Sequence, residues 1–414
     1  MSHRTLVVKF GGEALASAEL IARAAWRVRQ RGAGRPVAVV VSARRGVTDH
    51  LLRLVRDVAE ATYSEDLPPA GECFAADRAL ATGEVVSASL LALALCRLGV
   101  VAEPLDARES GLHSDASHSR ARLGVIQPHR VRRLLDAGVV PVITGFQGWS
   151  RGRYTTLGRG GSDITAVELA ASLGAECEFI KDTNGLESGD PRQVSRTHHI
   201  PQASHRFLRE LARSGAKIIH PAAAAAAERH RVPLTFSPLT ASGPGTTIVP
   251  GPVHGVAAVA HQGQRAVLHV EIPRTGDRAA LGDLRTQLRA IDPGCEFTLF
   301  RDELGWKAQI ALDVNECQNA GQIVRRGLPA AQLLAPCVGL AIVSLIGLEI
   351  TPDILRRLSR AVTRCGTRIT RSGHTGQRIW FVVPEGAAIA FQAELHAAFV
   401  ERPAEIGVKE EVSL

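Results

Sequence analysis

Thr155–Ala166 reads TTLGRGGSDITA: three glycines, an arginine and an aspartate in a turn that opens directly into an alanine-rich stretch. Gly158, Gly160 and Gly161 let backbone N–H groups approach a ligand with no Cβ in the way. Ser162 or Asp163 is suited to cap a helix expected over Thr165–Leu173, whose N-terminal dipole favours negative charge. Glycines alone would fit an ordinary connection. An arginine fork and a carboxylate inside the same turn are more than a connection needs, and they mark a place that holds anions.

Outward from this turn, strand and helix alternate. The strand expected over Val139–Phe146 feeds it, and the strand Glu178–Lys181 with the loop Asp182–Arg192 (DTNGLESGDPR) follows it. The chain opens with Thr5–Phe10 (TLVVKF), Gly11-Gly12 and a helical stretch, Leu15–Gln30, which leaves Lys9 at a strand's carboxyl end beside two open N–H groups, a ready phosphate cradle. A second strand, Pro36–Val41, runs into Ser42-Ala43-Arg44-Arg45-Gly46-Val47-Thr48. Helices are expected over Thr48–Ala61 and Cys73–Leu80, and Ala81-Thr82-Gly83-Glu84 leads into another, Val85–Leu98. Downstream, the helix Ser204–Ser214 precedes Gly215–Pro221 (GAKIIHP), an Ala-rich helix and the strand Pro233–Phe236. Polar residues collect at the strand ends, which reads as a three-layer α/β domain with its site at the carboxyl edge of a mainly parallel sheet.

At 414 residues the chain exceeds what one core usually supports, so two or more domains are expected. Lys and Arg number 49 against 41 Asp and Glu, a formal charge of +8. The arginines are interleaved with acids throughout, without a basic tail or an aromatic-basic platform, which argues against a nucleic-acid partner. Lysine occurs only at positions 9, 181, 217, 307 and 409. A compact ammonium meets a phosphoryl oxygen end-on where a planar guanidinium cannot, so Lys9, Lys181 and Lys217, all in Gly-flanked segments, are candidates for phosphate chemistry. The seven cysteines are scattered without a C-x-x-C pair, which speaks against a disulfide framework or a zinc site and for the reducing cytoplasm. The N-terminus enters a strand-like run, so no signal peptide is expected, and the apolar stretches Ser87–Leu95 and Val338–Leu348 are too short to span a membrane.

Six spaced motifs then carry a resemblance: KFGG at Lys9–Gly12, VVSA with Thr48-Asp49, ATGE at Ala81–Glu84, TTLGRGGSD at Thr155–Asp163, DPR at Asp190–Arg192 and GAKIIHP at Gly215–Pro221. Their order resembles the signature of the aspartokinases within the amino-acid kinase family, over about the first 250 residues. The resemblance implies transfer of the γ-phosphate of Mg-ATP to the β-carboxylate of aspartate. It implies that Lys9 and Lys217 stabilise the transferring phosphoryl, with Gly11 and Gly12 on its oxygens and Asp163 holding the lysines. Arg159 would grip the substrate α-carboxylate and Glu84 its α-ammonium, with Ser42, Thr48 and Ser162 adding neutral hydrogen bonds. Lys181, Asp182, Glu187 and Arg192 would line the nucleotide side, and Mg2+ would be held by nucleotide oxygens and water rather than by a protein cage.

Two departures stand out. Glu13-Ala14 replaces the usual Thr-Ser after KFGG and is closer to the opening of bacterial uridylate kinases, which lack the Glu84 and Arg159 grip. In the nucleotide loop, Lys181-Asp182-Thr183-Asn184-Gly185-Leu186-Glu187 stands where the family has Thr-Asp-Val-Asp-Gly-Val-Tyr. Alternatives to an aspartate kinase are a family member acting on another carboxylate and a kinase-like regulatory subunit.

A Gly/Pro-rich stretch, Pro250–Gly255, marks a boundary. Beyond it, Ala266–Ile272, Leu281–Ile291, Glu296–Phe300, Trp306–Leu312 and Glu316–Arg325, then Val338–Ile346, Asp353–Cys365, Arg368–Thr370, Arg378–Val383 and Ala387–Val400, repeat a β-α-β-β-α order. This duplicated ferredoxin-like unit resembles the paired ACT domains of aspartokinases. The expected division is 1–250 for a catalytic domain, 251–335 and 336–414 for two ACT-like domains, with a homodimer formed through them. Gly366-Thr367-Arg368-Ile369 stands where the family carries its effector-binding Gly-Ile-Asn-Ile element, so feedback by lysine or threonine is expected to be weak.

Overall fold

Leu6–Phe10 (β1), apolar but for Lys9, and Val37–Val41 (β2), apolar throughout, are buried at every residue, as strands covered on both faces are. The computed structural model describes residues 4–61, 74–240, 243–251, 253, 257–272, 278–301 and 306–401. It divides into two compact units, Met1–Leu186 with Pro201–His205 and Ile218–Pro252, and Glu187–Ile200 with Arg206–Lys217 and Val253–Leu414. The chain thus crosses from one unit to the other after residues 186, 200, 205, 217 and 252.

In the first unit the order continues through α1 (Ala18–Arg31), α2 (Val47–Ala61), α3 (Phe74–Arg97), β3 (Ala102–Leu105), β4 (Leu112–Ser114), β5 (Leu123–Ile126), α4 (His129–Asp136), β6 (Val140–Thr144), β7 (Gln147–Ser150), β8 (Arg153–Thr156), α5 (Gly161–Leu173) and β9 (Glu176–Lys181). The central eight-stranded sheet runs Gln202–Ser204, Thr246–Val249, Leu234–Pro238, β9, β1, β2, β6, β3. Of its pairings, β1 with β2 and with β9 are parallel, and Leu234–Pro238 with Thr246–Val249 is antiparallel. Alternate residues of β1 take opposite faces. Leu6, Val8 and Phe10 join Ile21, Ala24 and Val28 of α1 and Ala88, Leu91 and Leu95 of α3 in one core. Lys9 turns to the other face, where α5 lies, and meets Asp163 there. A three-layer αβα domain with its polar residues at the carboxyl edge is the result.

Local expectations needed correction. The two helices expected over 73–80 and 85–98 are one, α3, with Ala81–Glu84 inside it; Cys73 lies outside the described residues. By length and composition α3 could cross a membrane, but half of its most apolar window is buried, and it packs in the core. α5 begins at Gly161 rather than Thr165, so Ser162 and Asp163 sit in its first turn; Gly160 is its N-cap, without a side-chain cap bond. The β7–β8 hairpin, joined with β4 and β5 in a separate four-stranded sheet, was not anticipated.

The second unit holds a seven-stranded sheet in the order Glu296–Arg301, Trp306–Asp313, Ala258–Ile272, Cys337–Ile346, Arg378–Pro384, Arg371–Thr375, with Gln332–Leu333 also paired to Ala258–Ile272. Two ferredoxin-like repeats share it, each with its own core. Strand Ala258–Ile272 serves both: its later half pairs with Trp306–Asp313, its earlier half with Cys337–Ile346, across a register shift between Gln262 and Arg265. The strand expected at Arg368–Thr370 lies at Arg371–Thr375 instead, because the left-handed Gly366 ending the helix Pro352–Cys365 begins a loop. Residues 252, 254 and 255 of the Gly/Pro-rich stretch lie outside the described residues. The inserted segments are tied in by side chains: Ser188 Oγ stands 2.9 Å from His396 Nε2, and Arg213 Nη2 lies 3.5 Å from Glu296, whose carboxylate also binds the fully buried Arg378.

Candidate active site

The carboxyl ends of β1, β2 and β9 and the first turn of α5 bring the first group together. Lys9 is only 5% exposed, and its Nζ lies 2.6 Å from Asp163 Oδ1. The other oxygen, Oδ2, accepts the backbone N–H of His220 at 3.0 Å. Burial would push the Asp163 carboxyl up, but Lys9 and then Lys181 outweigh it and hold it down at about 2. An uncompensated ion at this depth would cost several kcal/mol, so the pairing is what permits two charges here.

Lys181, at the end of β9, reaches the same place. Lys9 is the register partner of Phe179, and Lys181 is two residues on, hence on the same face of the sheet. Its Nζ stands 5.9 Å from the centre of the Phe179 ring. Burial pushes its ammonium down to about 8, with Asp163 pulling the other way and the like charge of Lys9 adding to the fall. Two ammoniums thus face one carboxylate, which leaves net positive charge at a strand edge.

Gly11 and Gly12 follow β1 directly. A Cβ on Gly12 would stand 2.6 Å from the Ala43 carbonyl oxygen, so glycine is needed for the loop after β2 to come this close. That loop carries Ser42, whose N–H donates to Phe10 O at 3.1 Å, and leads to Thr48 in the first turn of α2; both side chains are half-buried.

Glu84 is 2% exposed in the middle of α3. Its Oε1 accepts the Ala43 N–H at 2.9 Å, while Oε2 is buried without a hydrogen-bond partner among the described residues. Burial pushes the carboxyl up to about 8, against the Ala43 N–H. A buried acceptor left open costs roughly 1–3 kcal/mol.

On the turn before α5, Arg159 is exposed and has no partner among the described residues, whereas Ser162 is buried. Gly158 and Gly160 both adopt left-handed φ, and a Cβ on Gly160 would stand 2.1 Å from the His220 ring.

The remaining candidates are dispersed. Asp182 is exposed in the first unit. Glu187, Arg192 and Lys217 belong to the second. There Glu187 Oε1 lies 3.8 Å from His199 Nδ1, Arg192 clasps Asp190 with Nε and Nη2 at 3.1 Å each, and Lys217 is exposed in the turn after the helix His205–Arg213.

Two residues escaped the sequence reading. His220 caps the helix Pro221–His230 through Nδ1, which accepts the Ala222 N–H at 3.3 Å, and it holds Asp163. The His-Pro pair was a usable N-terminus signal. Asp77, on α3, binds His118, Ser119 and Thr156 and gave no local signal.

Residues 4–236 match the amino acid kinase family. An aspartokinase of Thermus thermophilus is 31% identical over 416 residues, covering 95% of this chain and 98% of that one. One of Geobacillus stearothermophilus is 39% identical over 232 residues, 55% of each chain. Among solved structures, E. coli aspartokinase III in complex with aspartate and ADP matches 95% of this chain and 99% of its own with a TM-score of 0.79; at 22% identity this is a likeness of fold.

Proposed function

This chain belongs to the amino acid kinase family and, within it, to the aspartokinases, and from that premise we propose that it transfers the γ-phosphate of ATP to the β-carboxylate of aspartate. The supporting observation is Glu84: a buried carboxylate with one open oxygen asks for a cation, and an amino acid's α-ammonium supplies one. Arg159, forked and without a partner among the described residues, suits the α-carboxylate. Ser42, Thr48 and Ser162 supply neutral hydrogen bonds to the same molecule.

An oxygen of the β-carboxylate attacks the γ-phosphorus, the bond to the β,γ-bridging oxygen breaks, and ADP departs with its electron pair. Lys9 and Lys217 neutralise charge on the transferring group, Gly11 and Gly12 offer N–H groups to its oxygens, and Asp163 holds Lys9 in place. Lys181, Asp182, Glu187 and Arg192 serve the nucleotide, with Lys181 adding positive charge where the family carries a threonine. Mg2+ would arrive on the phosphate oxygens of the nucleotide and keep water as its other ligands.

The catalytic domain is assigned to 1–250 and two ACT-like domains to 251–335 and 336–414. Strands Glu296–Arg301 and Arg371–Thr375 end the seven-stranded sheet, each with one open edge among the described residues, and a second copy of the chain would pair there to form a homodimer. Cys96, Cys177, Cys295, Cys317, Cys337 and Cys365 are free thiols, which suits the cytoplasm.

The test is ADP release measured with aspartate, glutamate, N-acetylglutamate and UMP, with hydroxylamine trapping the acyl phosphate. Aspartate alone should give both signals; turnover confined to UMP or N-acetylglutamate would reject the proposal.

A further inference from the structure

Asp77 has no exposed surface, and the kinase reading gives it no task. It lies two turns ahead of Glu84 on the buried side of α3. Its carboxylate is engaged on every side. Oδ2 stands 2.7 Å from His118 Nδ1, Oδ1 accepts the Thr156 hydroxyl at 2.6 Å, and the Ser119 N–H reaches the two oxygens at 3.1 and 3.2 Å. These partners belong to two different stretches, residues 118–119 and the start of TTLGRGGSD itself. Thr156 is the last residue of β8, and its carbonyl accepts the Ala121 N–H at 2.9 Å. Ser119 is held at φ 66°, a left-handed conformation that a non-glycine residue adopts only when its surroundings impose it. Its carbonyl would stand 3.1 Å from a Cβ on Gly158, so residues 118–121 close over the start of the turn.

A carboxylate buried so deeply is costly even when paired, and well-packed apolar residues often hold a core as well or better. What the charge adds is direction: three donors from two stretches converge on one point and fix their register. We infer that Asp77 is a positioning residue of the amino-acid site, holding the Gly158–Arg159–Gly160 turn at a set place relative to Glu84. It rests on the reading of Glu84 and Arg159 as the grip on aspartate. On this account α3 governs both α-groups of the substrate, its ammonium directly through Glu84 and its α-carboxylate through Asp77, Thr156 and the turn that carries Arg159.

The test compares Asp77→Asn with the gentler Thr156→Val, which removes one donor and keeps the side-chain shape, both checked for folding by circular dichroism. Trypsin cleavage after exposed Arg159 should quicken roughly tenfold in each while other sites keep the parent rate. The aspartate KM should rise about tenfold, with the ATP KM unchanged and kcat within about twofold of the parent. In an Arg159→Ala background the same substitutions should add nothing further to the aspartate KM. Parent cleavage at Arg159 in both folded variants, or an equal rise in both KM values, would overturn the inference. If the parent protein does not phosphorylate aspartate, the kinase reading falls, and the cleavage rates still decide whether Asp77 holds the turn.

Discussion

Lys9 has to be buried and charged at once, and Asp163 reconciles the two demands. Removing either partner strands an ion, at a cost of about 3–5 kcal/mol. Lys9→Ala and Lys217→Ala are expected to lower kcat by roughly a thousandfold in folded protein, because on the proposed roles each ammonium would act on charge that develops during transfer; turnover near the parent's in a folded Lys9→Ala protein would sink the assignment. Glu84 makes a pH prediction. With its carboxyl pushed up to about 8, it is mostly neutral at pH 7 in the free protein and must lose a proton to receive an ammonium. The aspartate kcat/KM should therefore climb nearly tenfold per unit from pH 6 toward 8 and level above it, and Glu84→Gln should flatten that limb. Folding stability moves the other way, since a raised carboxyl favours the protonated form: the contribution is complete below the unfolded value of 4.5 and is lost as pH rises through about 8. Lys181, also near 8, supplies the opposite limb for ATP, whose kcat/KM should fall above that pH; Lys181→Arg, charged throughout, should move the fall upward. At this scale Lys9, Asp163 and Glu84 were legible because ordered motifs carry them. Asp77 was not, since its partners His118 and Thr156 lie 41 and 79 residues away.

Among the elements, α3 shows where local reading gives out. Thr82-Gly83 looks like a break between two helices, yet the helix runs through it because the loop after β2 packs on Gly83. A Cβ there would stand 3.0 Å from that of Ala43 and 3.2 Å from Val47 Cγ1. Gly83→Ala would gain up to about 1 kcal/mol of helix propensity and lose about 1–3 kcal/mol to overpacking. A net loss near 1 kcal/mol is expected from denaturant midpoints, with a raised aspartate KM because Glu84 loses its hold on Ala43; a stabilised variant with unchanged KM would show that the loop gives way freely. The strands β1 and β2 were readable from their largely apolar runs. The β7–β8 hairpin was hidden because its polar residues alternate too briefly to stand out from a loop.

For the molecule as a whole, the βαββα rhythm of the second unit was visible, but not the strand Ala258–Ile272 that both repeats share, since only pairing reveals it. The loop after Gly366 presents Arg368, exposed and without an acidic partner among the described residues. An effector's ammonium would meet a like charge there. Aspartate saturation curves are accordingly expected to coincide with and without millimolar lysine or threonine; strong cooperative inhibition by either would show that this loop binds an effector. The five crossings of the chain bear on how such a protein can change over generations. An exchange of genetic material at residue 252 would bring in new C-terminal repeats while leaving behind Ser188 and Arg213, which belong with His396 and Glu296 of the old ones. The two halves are therefore not beads on a string. A lineage that acquires a different C-terminal half must inherit Glu187–Ile200 and Arg206–Lys217 with it or re-evolve them, and variation in these segments should track the C-terminal repeats more closely than the rest of the N-terminal sequence.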